Sequence, residues 1–259
     1  MKNSFKYSLS AALSLSIMLF IAACGKDDSS VPTSGRVRFF HAVSDAPAVG
    51  VDLIVDGAIV NLRNWLTAGT PLPDSSFKYR AGFPGVTDSS YLYLTEGSHN
   101  VKVNALGTAT TVASLDVAVA AGKTYTAFAI DSLAKVGFLV IEDKLPAAKT
   151  GRAWVRVAHL SPNAGNVDVQ VRYVKTVAGI LTALDSASLG TNVAYKGVSD
   201  FIEVKAPDSL TVEFRGAGTT KAAVTFAKSA LVAGRCYTIL ASGIVGKSGL
   251  GTSSIIHGR

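Results

Sequence analysis

The sequence predicts an all-β chain of two tandem β-sandwich domains, and three observations carry that expectation. Runs such as Val51-Asp52-Leu53-Ile54-Val55-Asp56 and Val167-Asp168-Val169-Gln170-Val171 alternate apolar and polar residues with period two. Turn chemistry, such as Asp56-Gly57, Glu96-Gly97-Ser98 and Ala121-Gly122-Lys123, closes the runs at short intervals. Finally, the chain aligns with itself. Val37-Arg38-Phe39-Phe40-His41 matches Val155-Arg156-Val157-Ala158-His159, and Ala121-Gly122-Lys123-Thr124-Tyr125-Thr126 matches Ala233-Gly234-Arg235-Cys236-Tyr237-Thr238. A repeat this long is a duplicated domain rather than a solenoid.

Taken in chain order, residues 1–23 read as a signal peptide. Lys2 and Lys6 precede the apolar or small run Leu9 to Ala23, which is too short and too rich in serine for a membrane-spanning helix. Ile21-Ala22-Ala23-Cys24 resembles the lipobox of bacterial lipoproteins, with Ile where Leu is usual. The resemblance implies cleavage before Cys24 and lipidation of its sulfur, and several acyl chains make a lasting anchor where one binds reversibly. Residues 24–35 form a polar tether. Gly25 stands where an aspartate would signal inner-membrane retention, and Lys26-Asp27-Asp28 is similar to an export signal of surface lipoproteins. The expected location is the outer membrane, lipid-anchored and at the cell surface.

The first sandwich is expected at 36–145. Its strands include Tyr91 to Leu94, Val101 to Val103, Asp116 to Val119 and Thr124 to Phe128. A linker follows at 146–151, and the second sandwich at 152–259 repeats the pattern in Thr211 to Phe214 and Tyr237 to Leu240.

These residues also resemble the bacterial family known as domain of unknown function 4397. The family's pattern is a strand, then His-x-Ser-Pro-Asp-Ala-Pro, then Val-Asp-Val, with a later Ala-Gly-Lys-x-Tyr strand. The first copy has His41-Ala42-Val43-Ser44-Asp45-Ala46-Pro47 and Val51-Asp52, without the Pro after Ser. The second has His159-Leu160-Ser161-Pro162-Asn163-Ala164-Gly165 and Val167-Asp168-Val169, with Asn for Asp and Gly for the last Pro. The resemblance implies extracytoplasmic immunoglobulin-like sandwiches and no defined activity.

Chemistry is sparse. His41, Ser44 and Asp45 have the residue types of a nucleophilic triad, but a triad also needs an orienting group and an oxyanion hole, and the second copy replaces the acid with Asn163. Period two instead puts Val37, Phe39 and His41 on one strand face, with His41 capping the turn that follows. No catalytic residue, cofactor site or metal site is expected. His41, His99, His159 and His257 never occur at ligand spacing. Gly246-Lys247-Ser248 lacks the first glycine of a phosphate loop. Cys236 has no partner cysteine if Cys24 is acylated, and its counterpart is Thr124.

Trp65, Phe77, Tyr79 and Phe83 lie in a stretch rich in Pro and Gly and are the candidate ligand contacts. The formal charge of +7 falls mostly in the second copy, where Arg152, Arg156, Arg172, Lys175, Lys196 and Lys205 are scattered rather than clustered. Nucleic acid is therefore not an expected partner. The membrane, through the anchor, and a glycan or an envelope protein are. The expected function is a non-catalytic binding or structural module of the cell envelope. The alternatives are a hydrolase of surface polysaccharide and an accessory part of an uptake or adhesion assembly.

Overall fold

The computed structural model describes residues 33–258 except 62–75, 88–89, 178–179, 207–208 and 230. The expected signal segment and Cys24 lie outside the described residues, as does Trp65. Within them the regular structure is all-β, apart from a short 3-10 turn at Leu133–Lys135.

The first half contributes β1 (Ser34–His41), β2 (Val51–Val55), β3 (Ala58–Ile59), β4 (Gly82–Phe83), β5 (Leu92–Thr95), β6 (Gly97–Ala105), β7 (Thr111–Val119), β8 (Thr124–Ile130) and β9 (Gly137–Glu142). The second half contributes β10 (Arg152–Leu160), β11 (Val167–Val177), β12 (Ile180–Val193), β13 (Ile202–Lys205), β14 (Ser209–Gly216), β15 (Ala222–Ser229), β16 (Cys236–Ile244) and β17 (Ser248–His257).

Each half is a two-sheet sandwich. In the first, β4-β1-β8-β9, with β5 also on β1, faces β3-β2-β6-β7. In the second, β13-β10-β16-β17 faces β12-β11-β14-β15. Pairing is antiparallel except for β1 with β8 and β10 with β16, which run parallel in matching positions. Alternation fills the cores. Val37, Phe39, Leu53, Val101 and Val103 lie between the first two sheets, and Val155, Val157, Val169, Val212 and Phe214 between the second two. Asp56-Gly57 makes the tight β2–β3 hairpin with both φ positive, at 51° and 82°. Asp56 thus ends its strand and does not continue the face of Asp52.

A third core joins the halves. Phe40, Ala42, Phe128 and Ile130 meet Ala158, Leu160, Leu240 and Ile255. Apart from Ala42, just past β1, and Ile255 on β17, these residues occupy the positions of β1, β8, β10 and β16 that point away from their own sandwich cores. The β1 and β10 sheets are therefore covered on both faces, and the order of layers is sheet β2, sheet β1, sheet β10, sheet β11. Six of these eight side chains are Phe, Leu or Ile, and burying each contributes about 1.5–3 kcal/mol, which makes this contact comparable to a small domain core.

The contact is isologous, each half offering the same elements to the other. The Tyr79 hydroxyl lies 3.0 Å from Ser242 Oγ, and the Tyr195 hydroxyl donates to Asp131 Oδ1 at 2.7 Å. Each tyrosine precedes a basic residue in the left-handed region, Arg80 (φ 63°) and Lys196 (φ 68°), whose amide donates to the carbonyl of His41 or His159. Both basic side chains also cross over. Arg80 donates to the Gly249 carbonyl at 2.8 Å, over Gly251, where a Cβ would stand 2.1 Å from the guanidinium. Lys196 Nζ lies 3.2 Å from Asp131 Oδ2. The last residues of β1 therefore adjoin those of β10, so the turns after His41 and His159 share one end of the body. The chain enters at Ser34, at the other end, where β17 also finishes.

Candidate functional site

The sequence singles out the histidine turns. In the first half, His41 is buried, its Nδ1 accepts the Val43 amide at 3.2 Å, and its ring packs on Phe77 and Tyr79. Burial pushes its pKa down to about 4, so the ring is neutral near pH 7. Asp45 Oδ1 accepts the Leu133 amide at 2.7 Å from the β8–β9 loop, away from His41. In the second half, His159 Nε2 donates to the Gly165 carbonyl at 2.8 Å. Ser161 donates to the Gly243 carbonyl at 2.6 Å, and Asn163 both donates to and accepts from the Val245 backbone. Asn163 thus ties together the β10–β11 and β16–β17 loops, the equivalents of the two that Asp45 joins, adding a donor that a carboxylate lacks.

The aspartates of the Val-Asp pairs also hold turns. Asp52 Oδ2 accepts the Gly107 amide at 2.7 Å, and Asp168 accepts the amides of Asn192 and Gly218 at 2.7 and 2.8 Å. Those backbone bonds hold the Asp168 pKa below the ordinary carboxylate value.

Of the aromatic candidates, Phe77 is 4% exposed within the first core and Phe83 is half-buried against that core. Tyr79 is half-buried at the contact between the halves. The Asp131 partner of Tyr195 and the Ser242 partner of Tyr79 carry no sequence signal, because each belongs to the other half, Asp131 just after β8 and Ser242 in β16.

Sequence reasoning missed a buried polar cluster between the halves. Arg156 is paired with Asp143 inside the interface, their side chains 5% and 0% exposed. Arg156 Nε donates to Thr238 Oγ1 at 2.7 Å, and its guanidinium covers the Phe201 ring. Arg38, fully buried, donates to the Ser90 and Ile256 carbonyls at 2.9 Å and to that of Thr87, and covers the Tyr91 ring. Thr126 donates to Asp143 Oδ2 at 2.6 Å. His257 Nε2 lies 2.7 Å from Thr238 Oγ1, and its Nδ1 lies 3.1 Å from the Tyr91 hydroxyl.

Burial opposes ionisation of Asp143, but the bond from His257 and the charge of Arg156 outweigh it, so its pKa is lowered. Burial lowers that of His257, against the pull of Asp143. A carboxylate beside a neutral imidazole follows. Thr238 accepts from Arg156, so its hydroxyl proton points to His257 Nε2, leaving the ring proton on Nδ1. Burial pushes the Tyr91 hydroxyl up to about 12. Every charged group here faces a partner, and the cluster is closed to solvent. It can hold the halves together and offers no access to a substrate.

An open groove of about 520 Å³ runs over the outer face of the β3-β2-β6-β7 sheet, lined by Asp52, Ile54, Ile59, Lys102, Asn104 and Thr111, among others. Among the described residues, no three His, Cys, Asp or Glu side chains converge as metal ligands would.

A family model described as a domain of unknown function, DUF4397, matches residues 35–170, more than half of the chain, and the chain belongs to this family. No curated protein matches. Among solved structures, a proposed cell adhesion protein from Bacteroides uniformis is 12% identical, with 90% of this chain and 98% of that one covered and a TM-score of 0.27. A family 26 carbohydrate-binding module from Eubacterium rectale, solved with maltoheptaose, is 11% identical over 87% and 97%, with a TM-score of 0.24. A proposed cell adhesion protein from Bacteroides fragilis is 13% identical over 86% and 97%, with the same TM-score. Scores this low transfer no function to this chain.

Proposed function

We propose that this chain is a lipid-anchored, non-catalytic module of the outer-membrane surface, in which two copies of the family domain form one rigid body for binding or support. The observation that carries this reading is where the family's polar residues point. Asp45, Asp52, His159, Ser161, Asn163 and Asp168 all bond the backbone of their own half. A signature occupied in this way builds loops and leaves no nucleophile, base and oxyanion donor facing a common point. The lipobox at Cys24 supports the anchor.

The test is metabolic labelling with palmitate, followed by protease treatment of intact cells. The wild-type chain takes up label and is degraded from outside, whereas Cys24→Ala takes up none. Label that persists in Cys24→Ala overturns the anchor, and a labelled chain that survives the protease overturns surface display.

A further inference from the structure

The two halves share strand order, turn caps and contact residues, yet their outer sheet faces differ in chemistry. Asp52 opposes Asn104 and Ile54 opposes Lys102 in the first half, where Asp168 opposes Arg215 and Gln170 opposes Glu213 in the second. Lys102 and Asn104 thus stand where Glu213 and Arg215 stand. In the second half this face is closed on itself. Glu213 receives Arg172 Nε at 3.1 Å and Arg215 Nε at 3.0 Å.

In the first half, among the described residues, Lys102 is exposed and forms no ion pair or hydrogen bond, and Asn104 Oδ1, shielded from solvent, has no hydrogen-bond partner. Both line the 520 Å³ groove, whose volume falls in the range of small-ligand sites. Asp52 also lines it, but is buried with its carboxylate turned to the Gly107 amide; Ile54 and Ile59 offer an aliphatic floor, and Thr111 adds a hydroxyl on one side.

We infer that this groove is a binding site for an acidic sugar. A carboxylate of the ligand pairs with Lys102, a ligand hydroxyl donates to the unpaired Asn104 oxygen, and the C–H face of the ring lies on Ile54 and Ile59. An uncompensated ammonium selects an anion, and a shielded acceptor without a donor selects a hydroxylated one. The inference rests on the binding reading above and gives it a ligand class and a place.

Digalacturonate is the probe, titrated into the full-length protein in detergent and followed by amide chemical shifts, with maltotriose as the neutral control. Digalacturonate is expected to perturb residues 52–59 and 102–111, and Lys102→Glu, which installs the acid of the second half, to weaken it at least 10-fold while the spectrum stays folded. Asn104→Ala weakens it as well. Maltotriose binding as tightly as digalacturonate, or no digalacturonate binding at millimolar concentration, overturns the inference. Digalacturonate that perturbs other residues and is indifferent to Lys102→Glu also overturns it, but leaves the binding module standing with its site elsewhere.

Discussion

Asp143 and His257 occupy matching positions of the two halves and meet across the contact, Oδ2 3.4 Å from Nδ1. Asp143 follows β9 and donates its amide to the Thr124 carbonyl, while His257 ends β17 opposite Cys236. A strict two-fold would bring like residues together here. Two aspartates would repel, so the unlike pair lets one carboxylate serve Arg156, Thr126 and His257 together.

Removing that carboxylate strands a buried guanidinium. Asp143→Ala should destabilise the protein by about 3–5 kcal/mol, and Arg156→Ala by a similar amount. The double variant should cost less than the two together, because neither charge is then left alone. Urea unfolding of the four proteins measures the coupling, and additive losses would refute it.

The histidines should separate by pH. His41 should titrate near 4 and His99 above its ordinary value, because the bond to Asp56 (2.6 Å) favours its charged form. The signs are opposite. The neutral His41 contributes stability that is whole above about pH 6.5 and lost as pH falls towards 4, about 3 kcal/mol by linkage. The His99 contribution is whole below its unfolded value and fades as pH rises through the folded one. Asp56, lowered chiefly by the same bond, contributes above its unfolded value and loses that as pH falls. Imidazole NMR titration separates the two rings; His41 titrating near 6.5 contradicts its burial.

The crossing tyrosines differ in what they hold. Tyr195→Phe should cost about 1–3 kcal/mol, because its hydroxyl donates to a carboxylate, and Tyr79→Phe about 1 kcal/mol, as it faces a neutral serine. Thermal unfolding checks the order, and a larger loss for Tyr79→Phe would reverse it.

Asp52→Ala should destabilise by about 1–3 kcal/mol, since the Gly107 amide loses its acceptor. Asp168→Ala should loosen its loop in the same way, seen as faster hydrogen exchange at Asn192 and Gly218. Unchanged exchange there would mean that the Val-Asp pair has another role.

Much of this fold is legible in the sequence, because half-buried strands advertise themselves by alternation. Val37, Phe39 and His41 do share an inward face, and Asp116 to Val119 lies in a strand. β17 is not legible, since Ser248–His257 is rich in Gly and Ser and gains its order from the neighbouring strand, and β9 (Gly137–Glu142) is an apolar run, half-buried on both faces, that shows no alternation. The contact between the halves was hidden for another reason. Alternation assigns Arg38 and Arg156 to an outward face, which reads as solvent until a second sheet covers it. The signal lay in Phe40, Phe128, Leu160 and Leu240, apolar residues at those same outward positions.

Native-state hydrogen exchange at Phe40 and Ala158, one on each side of the shared core, tests most directly whether the halves form one body. The structure predicts that both amides open with the same free energy, and that Asp143→Ala lowers the two together. Exchange at one that proceeds while the other stays protected would contradict it.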